Sequence, residues 1–395
     1  MQREDSESSD AVVSVPKVVT SSHVVTADSV QAEEVPTIPL GSLQTLSTLQ
    51  PEVSIHSVAS TQIVSMPAPL VVQPSEYRRS LAEWFQVWWD GFRPAYLPLS
   101  VMPFLLGSTL AWTQSLSVKT PVGQFHPTRF FVTFAAILLL QIGAHLVNDY
   151  HDYIKGVDTS NTLGPGGLIQ QGLIKPSRVL SLGLILLSFG ALLGVVLAFE
   201  AGPLIFLFVL VGLLCAYFYS ATSQALSSLA LGELVSFCIF GPLITLSAYL
   251  VQTDQVNRTV LLYSIPLGLF ATAVIYLNNM RDAESDAAAR KHTLAGLLGL
   301  GLNRVLFLLL LLGAYAIVVA LGVPRQAPHL LLITLWTLPT LVIVITGALR
   351  TDTPPGIHLV MRQTLRLETY FALLLIVALI VSAFWPILPH LTLPV

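Results

Sequence analysis

An all-α, polytopic membrane bundle of about nine transmembrane helices, preceded by a disordered N-terminal tail, is the fold class that this sequence predicts. Three observations predict it. The 395-residue chain is 54% hydrophobic and only 10% charged, with a mean hydropathy of +0.74. Apolar stretches of about 18 to 23 residues, long enough to cross a bilayer as helices, recur along it. Residues 1–75 differ from everything after them, being rich in Val, Ser, Thr, Pro and Gln.

That tail, residues 1–75, reads as a disordered low-complexity segment because it offers no periodic apolar face to bury. Its opening carries Glu4, Asp5, Glu7 and Asp10 against Arg3 and Lys17, and it lacks the basic start and continuous apolar core of a signal peptide. Residues 76–395 form the transmembrane domain. Its candidate helices are 95–115, 127–148, 178–198, 202–220, 230–251, 259–280, 303–322, 328–349 and 368–388. The shortest connection, Glu200-Ala201-Gly202-Pro203, pairs two helix breakers with an acid that marks an aqueous boundary, so the third and fourth helices are expected to form a tight hairpin. Cys215 and Cys238 both fall inside helices, which argues against a disulfide and leaves no metal-binding cysteine spacing.

Lys and Arg near helix ends orient such a bundle, since they stay on the cytoplasmic side. One side of the alternation holds Arg78, Arg79, Arg93, Lys155, Lys175, Arg178, Arg281, Arg290, Lys291, Arg304, Arg350, Arg362 and Arg366. The other holds Lys119, Arg129, Arg258 and Arg325. This bias places the N-terminus in the cytoplasm and the C-terminus outside, in a cell inner (plasma) membrane.

Two acid-and-amide clusters then stand out on the cytoplasmic side: Asn148-Asp149-Tyr150-His151-Asp152, and Asn278-Asn279-Met280-Arg281-Asp282-Ala283-Glu284-Ser285-Asp286. A carboxylate at membrane depth costs roughly 2.5 to 3.5 kcal/mol on insertion scales, so repeated Asp at the ends of two apolar helices calls for a compensating cation. Asn148 and Asp152 are four residues apart, as are Asn278 and Asp282, and Asp282 and Asp286; on a helix each pair shares a face. A single Asp or Asn at a helix end is ordinarily a cap or turn former. Two such clusters on one membrane face, each followed by basic residues, point instead to half-sites for Mg2+, which takes oxygen ligands from one or two carboxylates and from substrate phosphates. The candidate metal ligands are Asn148, Asp149, Asp152, Asp158, Asp282 and Asp286. Glu284 falls on another face.

The run from Asn148 to Asp158 resembles the first Asp-rich motif of the UbiA superfamily of intramembrane aromatic prenyltransferases. Asp282-Ala283-Glu284-Ser285-Asp286, followed by Lys291-His292-Thr293-Leu294-Ala295, looks like the second. Trp89-Asp90-Gly91-Phe92-Arg93-Pro94 before the first helix fits the same pattern, and the resemblance covers residues 84 to 388. Lys155-Gly156-Val157-Asp158, the Gly164-Pro165-Gly166-Gly167 stretch and Leu231-Gly232-Glu233 look most like the 1,4-dihydroxy-2-naphthoate branch of the menaquinone pathway. Arg290 and His292 depart from the family pattern, where a small residue and an Arg are common, and they bear on the diphosphate contacts of that loop more than on the metal ligands.

The resemblance implies a Mg2+-dependent enzyme whose partners are a polyprenyl diphosphate, an aromatic acid acceptor and membrane lipid, with no nucleic acid. Asp149, Asp152, Asp282 and Asp286 would be catalytic through the metal. Lys155, Arg281, Lys291 and Asn278 would bind the diphosphate end, with Lys175 a further candidate, and Arg93 could hold an acceptor carboxylate bidentately. Of the tyrosines at helix ends, Tyr150 and Tyr276 are candidates to steady an allylic carbocation with their ring faces. His145 reads as a packed helix histidine. The alternative acceptors are 4-hydroxybenzoate, homogentisate and a chlorophyllide-type ring. A cation-coupled transporter is the competing class, since intramembrane carboxylates also mark ion pathways; against it, the acids sit on one face and no inverted repeat is evident.

Overall fold

The computed structural model describes residues 80–116, 124–156, 167–222, 225–324 and 328–384. The tail, Asp158, Arg78, Arg79, Lys119 and Arg325 lie outside them. Helix α1 (Leu81–Phe92) begins in a capping box: the Ser80 hydroxyl accepts from the Glu83 amide, and the Glu83 carboxylate accepts from the Ser80 amide at 2.7 Å. Trp84, Val87, Trp88 and Phe92 pack inward around Leu146 and Leu168, whereas Leu81, Phe85 and Trp89 are exposed. Arg93, in the left-handed region at φ 55°, ends α1 and turns the chain through a 3-10 turn, Pro94–Tyr96, into α2 (Pro98–Ser115), bent 55° from it.

Next come α3 (Pro127–Lys155), α4 (Pro176–Ala201) and α5 (Pro203–Phe218). Between the last two stands Gly202 at φ 100°, so the expected hairpin forms where a residue without Cβ can make the turn. Helices α6 (Gly232–Cys238) and α7 (Ile244–Thr253) are halves of one span joined by a π-turn, Ile239–Leu243. Pro242 lies in that turn; its missing N–H and its ring would clash in a regular helix, and the wider turn absorbs both. The rest is α8 (Arg258–Arg281), the short α9 (Ala283–Ala288), α10 (Leu294–Gly322), a 3-10 segment His329–Thr337 leading into α11 (Leu338–Arg350), and α12 (Pro354–Phe384).

Seven of these segments are long and apolar enough to cross a membrane, an eighth is the bent α1–α2 pair, and α5 is a shorter apolar helix. Each expected helix therefore has its counterpart among the described residues, but two begin earlier than expected. Helix α12 starts at Pro354 rather than 368 because its first turns carry Arg362 and Arg366, which lower hydropathy yet point outward. Helix α10 starts at Leu294 rather than 303: Thr293 caps it by accepting from the Gly296 amide, and Gly299 at φ 69° kinks the glycine-rich first turns that composition reads as a loop.

Two packed groups result. Helix α8 is the buried centre of one, with α2, α10 and α12 around it and the rings of Phe270, Tyr315 and Phe371 meeting at 5.0 to 6.2 Å. In the other, α3 lies against α4 at small residues, a Cβ on Gly143 falling 2.9 Å from the Gly183 carbonyl. One end of the second group is clasped by Arg129, which donates to the carbonyls of Val251 (3.0 Å) and Glu200 (2.8 Å) and pairs with Asp254 at 3.2 Å.

Candidate active site

A cavity of about 270 Å3 runs between the two groups. One end is polar, lined by Arg93, Tyr96, Asn148, Asp152, Tyr219, Asn278, Asn279 and Lys291. Its far end, between α3, α4, α5 and α7, is lined by Leu197, Ile205, Val209 and Val251, with the hydroxyls of Thr133 and Ser247 the polar groups there.

Helical spacing sets up both acid clusters in the same way. Asn148 Nδ2 donates to Asp152 Oδ2 at 2.6 Å on α3, and Asn278 Nδ2 donates to Asp282 Oδ2 at 3.3 Å at the end of α8. Asn148, Asp152 and Asn278 face the cavity. The other acids are held by cations. Asp149, 3% exposed, turns away from the cavity to pair with Arg93. Both Asp282 oxygens accept from Arg281, at 2.7 and 2.6 Å, and Arg281 also donates to Asn278 Oδ1 at 3.0 Å and lies 3.2 Å from His358 Nδ1. Asp286, 1% exposed, accepts from Lys291 at 3.2 Å. Burial alone would lower the Lys291 ammonium, yet Asp286, Asp152 and the Tyr219 phenol hold it well above the ordinary lysine range, so it stays a cation.

Lys155 does not line the cavity. Its ammonium donates to the carbonyls of Ser220 and Thr222, the latter at 2.8 Å, and ties the end of α3 to the chain after α5. Lys175 is exposed ahead of α4, and Glu284 is exposed. Tyr276 is fully buried against Asn303, and Tyr150 packs beside Leu168. The tyrosines that do line the cavity are Tyr96 and Tyr219, beside the rings of Phe208 and Phe240. His145 lines it too, its Nδ1 3.4 Å from the Phe92 carbonyl.

The sequence reading missed Gln141, whose Nε2 donates to the Tyr96 carbonyl at 2.9 Å and whose Oε1 accepts from Ser100, and it gave Asn279 and Glu233 no role. A lone amide in the apolar run of α3 was the available signal for Gln141, because a polar group at that depth needs partners. For Mg2+, the donor set fits: a carboxylate and carboxamides at one cavity end are hard oxygen ligands. Among the described residues no three His, Cys, Asp or Glu converge as a metal group by themselves. The segments that carry the lining residues Ser227 and Lys291 are joined main chain to main chain, Ala230 N–H donating to the His292 carbonyl at 3.0 Å.

The chain is similar to several known proteins. The chain is 30% identical over 299 residues to a 1,4-dihydroxy-2-naphthoate octaprenyltransferase of Bacillus subtilis (strain 168), covering 76% of this chain and 94% of that one. It is 32% identical over 294 residues to a UbiA prenyltransferase domain-containing protein 1 homolog of Drosophila melanogaster, covering 72% and 77%. In fold it is similar to the apo structure of a UbiA homolog from Aeropyrum pernix K1 (TM-score 0.53, 15% identity, 71% of this chain and 97% of that one). It is also similar to a UbiA homolog from Archaeoglobus fulgidus bound to DMAPP and Mg2+ (TM-score 0.50, 14% identity, 73% and 98%). The model of the UbiA prenyltransferase family matches residues 100–358, so the chain belongs to that family and is a multi-pass membrane prenyltransferase resembling the 1,4-dihydroxy-2-naphthoate enzymes.

Proposed function

We propose that this enzyme transfers a polyprenyl group from polyprenyl diphosphate to 1,4-dihydroxy-2-naphthoate with loss of the ring carboxylate, giving demethylmenaquinone at its reduced level, diphosphate and carbon dioxide. The observation that carries this reading is the polarity gradient of one cavity, from Asp152, Asn278 and Lys291 at one end to Leu197, Ile205 and Val251 at the other. A prenyl diphosphate has the same gradient. Lys291 is placed to bind diphosphate oxygens as they gain charge, with Asn278 beside it at the cavity, Arg281 bonded to Asn278, and Lys155 tying α3 to the chain after α5. Mg2+ held by Asn148, Asp152 and Asn278, with Asp149, Asp158, Asp282 and Asp286 in support, would neutralise the leaving group. Of the four acids assigned to catalysis, Asp152 faces the cavity, and Asp149, Asp282 and Asp286 act through the cations they hold there.

As the allylic C–O bond breaks, its electron pair leaves with diphosphate, and the electron-rich ring carbon attacks the allylic carbon. The bond to the carboxylate then breaks and returns its pair to the ring. Tyr96 and Tyr219 offer ring faces to the cationic carbon, and the apolar walls keep water from it. Arg93, which lines the same polar end, is the candidate for the acceptor carboxylate. The charged residues lining the cavity all lie at that end, which disfavours a transport path across the membrane. The domain is assigned to residues 76–395, with 1–75 a tail, and the site to the cytoplasmic face of the plasma membrane.

Mass spectrometry of products from membranes expressing the chain, offered mixed aromatic acids and prenyl diphosphates, tests this. A prenylated naphthoquinol, with diphosphate release that EDTA stops, is the expected result. A prenylated benzoate would replace the acceptor and keep the mechanism; no release with any pair would end the enzyme assignment.

A further inference from the structure

Glu233 is a buried carboxylate that the reaction as described does not use. It is the second residue of α6, 6% exposed, and its Oε1 accepts from Asn279 Nδ2 at 2.8 Å. Its Oε2 is buried and makes no hydrogen bond among the described residues. The Glu233 carbonyl accepts from the Thr272 hydroxyl on α8, so main chain and side chain of this residue both bind the same neighbouring helix. Asn279 is 5% exposed and lines the polar end of the cavity beside Asn278 and Lys291.

A carboxylate has only acceptors, whereas a carboxamide has a donor end and an acceptor end. An amide bonded to Glu233 must therefore turn its NH2 toward the carboxylate and its carbonyl oxygen the other way. We propose that Glu233 is a positioning residue that fixes Asn279 with its oxygen toward the cavity, so that this wall presents an acceptor to a bound cation or donor hydroxyl. Resting on the prenyl-transfer reading, the proposal assigns that oxygen one of two companions: Mg2+ accompanying the diphosphate, or a ring hydroxyl of the aromatic acceptor. A site that must hold diphosphate cannot freely offer both ends of an amide, because N–H groups facing the cavity would compete for phosphate oxygens and draw the substrate toward the wrong wall.

The chemistry gives a charge-neutral swap as the test. Glu233→Gln brings its own NH2 to Asn279 and lets that amide turn over, presenting N–H to the cavity. Asn279→Asp places two carboxylates against each other. The double variant E233Q/N279D keeps the net charge, lets the carboxamide now on α6 donate to the carboxylate now on α8, and shows the cavity an oxygen in either orientation. Two readouts are needed on purified full-length protein in detergent: the Mg2+ concentration at which geranylgeranyl S-thiolodiphosphate raises the thermal midpoint, and the KM for the aromatic acceptor. Each single variant should be impaired by about tenfold or more in one readout, the scale of one misdirected hydrogen bond to a charged group, and the double variant should recover toward wild type. Recovery in the Mg2+ requirement identifies the cation as the companion; recovery in acceptor KM identifies the hydroxyl. A Glu233→Gln protein that matches wild type in both readouts, or a folded double variant no better than the worse single one, overturns the proposal. If Glu233→Gln does not fold, the double variant decides alone, since it restores the hydrogen bond. Failure of the prenyl-transfer reading is distinct: wild type itself would then respond to neither substrate.

Discussion

At the scale of single residues, the cavity end divides the acids into those facing it and those locked beside it. Asp152→Ala should abolish turnover while leaving membrane insertion intact, read by diphosphate release and by the amount of protein extracted from membranes; substantial activity would remove Asp152 from the site. Arg93→Ala should destabilise the protein by about 2 to 3 kcal/mol, less than a fully buried pair because the guanidinium stays 20% exposed. Adding Asp149→Asn should recover most of that loss in thermal unfolding, since what costs most is the carboxylate left buried without its cation. The spacing in the sequence was enough to pair Asn148 with Asp152 and Asn278 with Asp282, because those contacts are made within one turn of helix. It could not say that Asp149 faces Arg93, 56 residues away, or that Lys155 serves backbone carbonyls. Glu233 was quoted in the sequence only as part of Leu231-Gly232-Glu233, and its bond to Asn279 could not be read there for the same reason: only the crossing of α6 and α8 brings the two together.

Helix crossings set the positions of those residues, and the closest of them depend on glycine. A Cβ on Gly107 of α2 would fall 2.2 Å from the Thr245 carbonyl oxygen of α7 and 2.9 Å from the Ala248 Cβ. Neither neighbour can rotate away, so Gly107→Ala should lower stability by about 1 to 3 kcal/mol, the usual cost of overpacking. Gly301→Ala on α10 meets no atom within 4 Å and should be neutral or raise stability by up to about 1 kcal/mol through helix propensity. Thermal unfolding of the two variants side by side measures the contrast, and equal midpoints would refute it. Hydropathy located every apolar segment but misplaced the starts of α10 and α12. A window of apolar residues registers lipid contact, and Arg362 and Arg366 are exposed on turns whose neighbouring residues, Met361 and Leu365, are already core. Nor does hydropathy register a π-turn, which depends on how Pro242 packs rather than on how apolar it is.

For the molecule as a whole, the cavity runs along α3 from Asn148 to Thr133, about 22 Å at 1.5 Å per residue, most of the depth of a bilayer. Gly212 of α5 lines it partway along, and a Cβ there meets only Leu243 Cδ2, at an ordinary 3.6 Å. Gly212→Leu should therefore fold normally, keep turnover with dimethylallyl or geranyl diphosphate and lose it with longer chains, which product analysis across a chain-length series would show; unchanged chain-length preference would place the tail elsewhere. The sequence announced an apolar bundle with one polar face, but not this depth, because a tunnel is the space left between helices and has no residues of its own. Its apolar half is also assembled late. Arg129 lies in the first turn of α3, and of its two carboxylate partners, Glu200 and Asp254, the second lies 125 residues further along the chain. During synthesis α3, α4 and α5 enter the membrane with that guanidinium still lacking the Val251 carbonyl and Asp254, and only the arrival of α7 completes the clasp. The lipid-like compartment is thus sealed by the newest helix drawing in an earlier one, and any ribosome pause before residue 254 leaves it open to the bilayer.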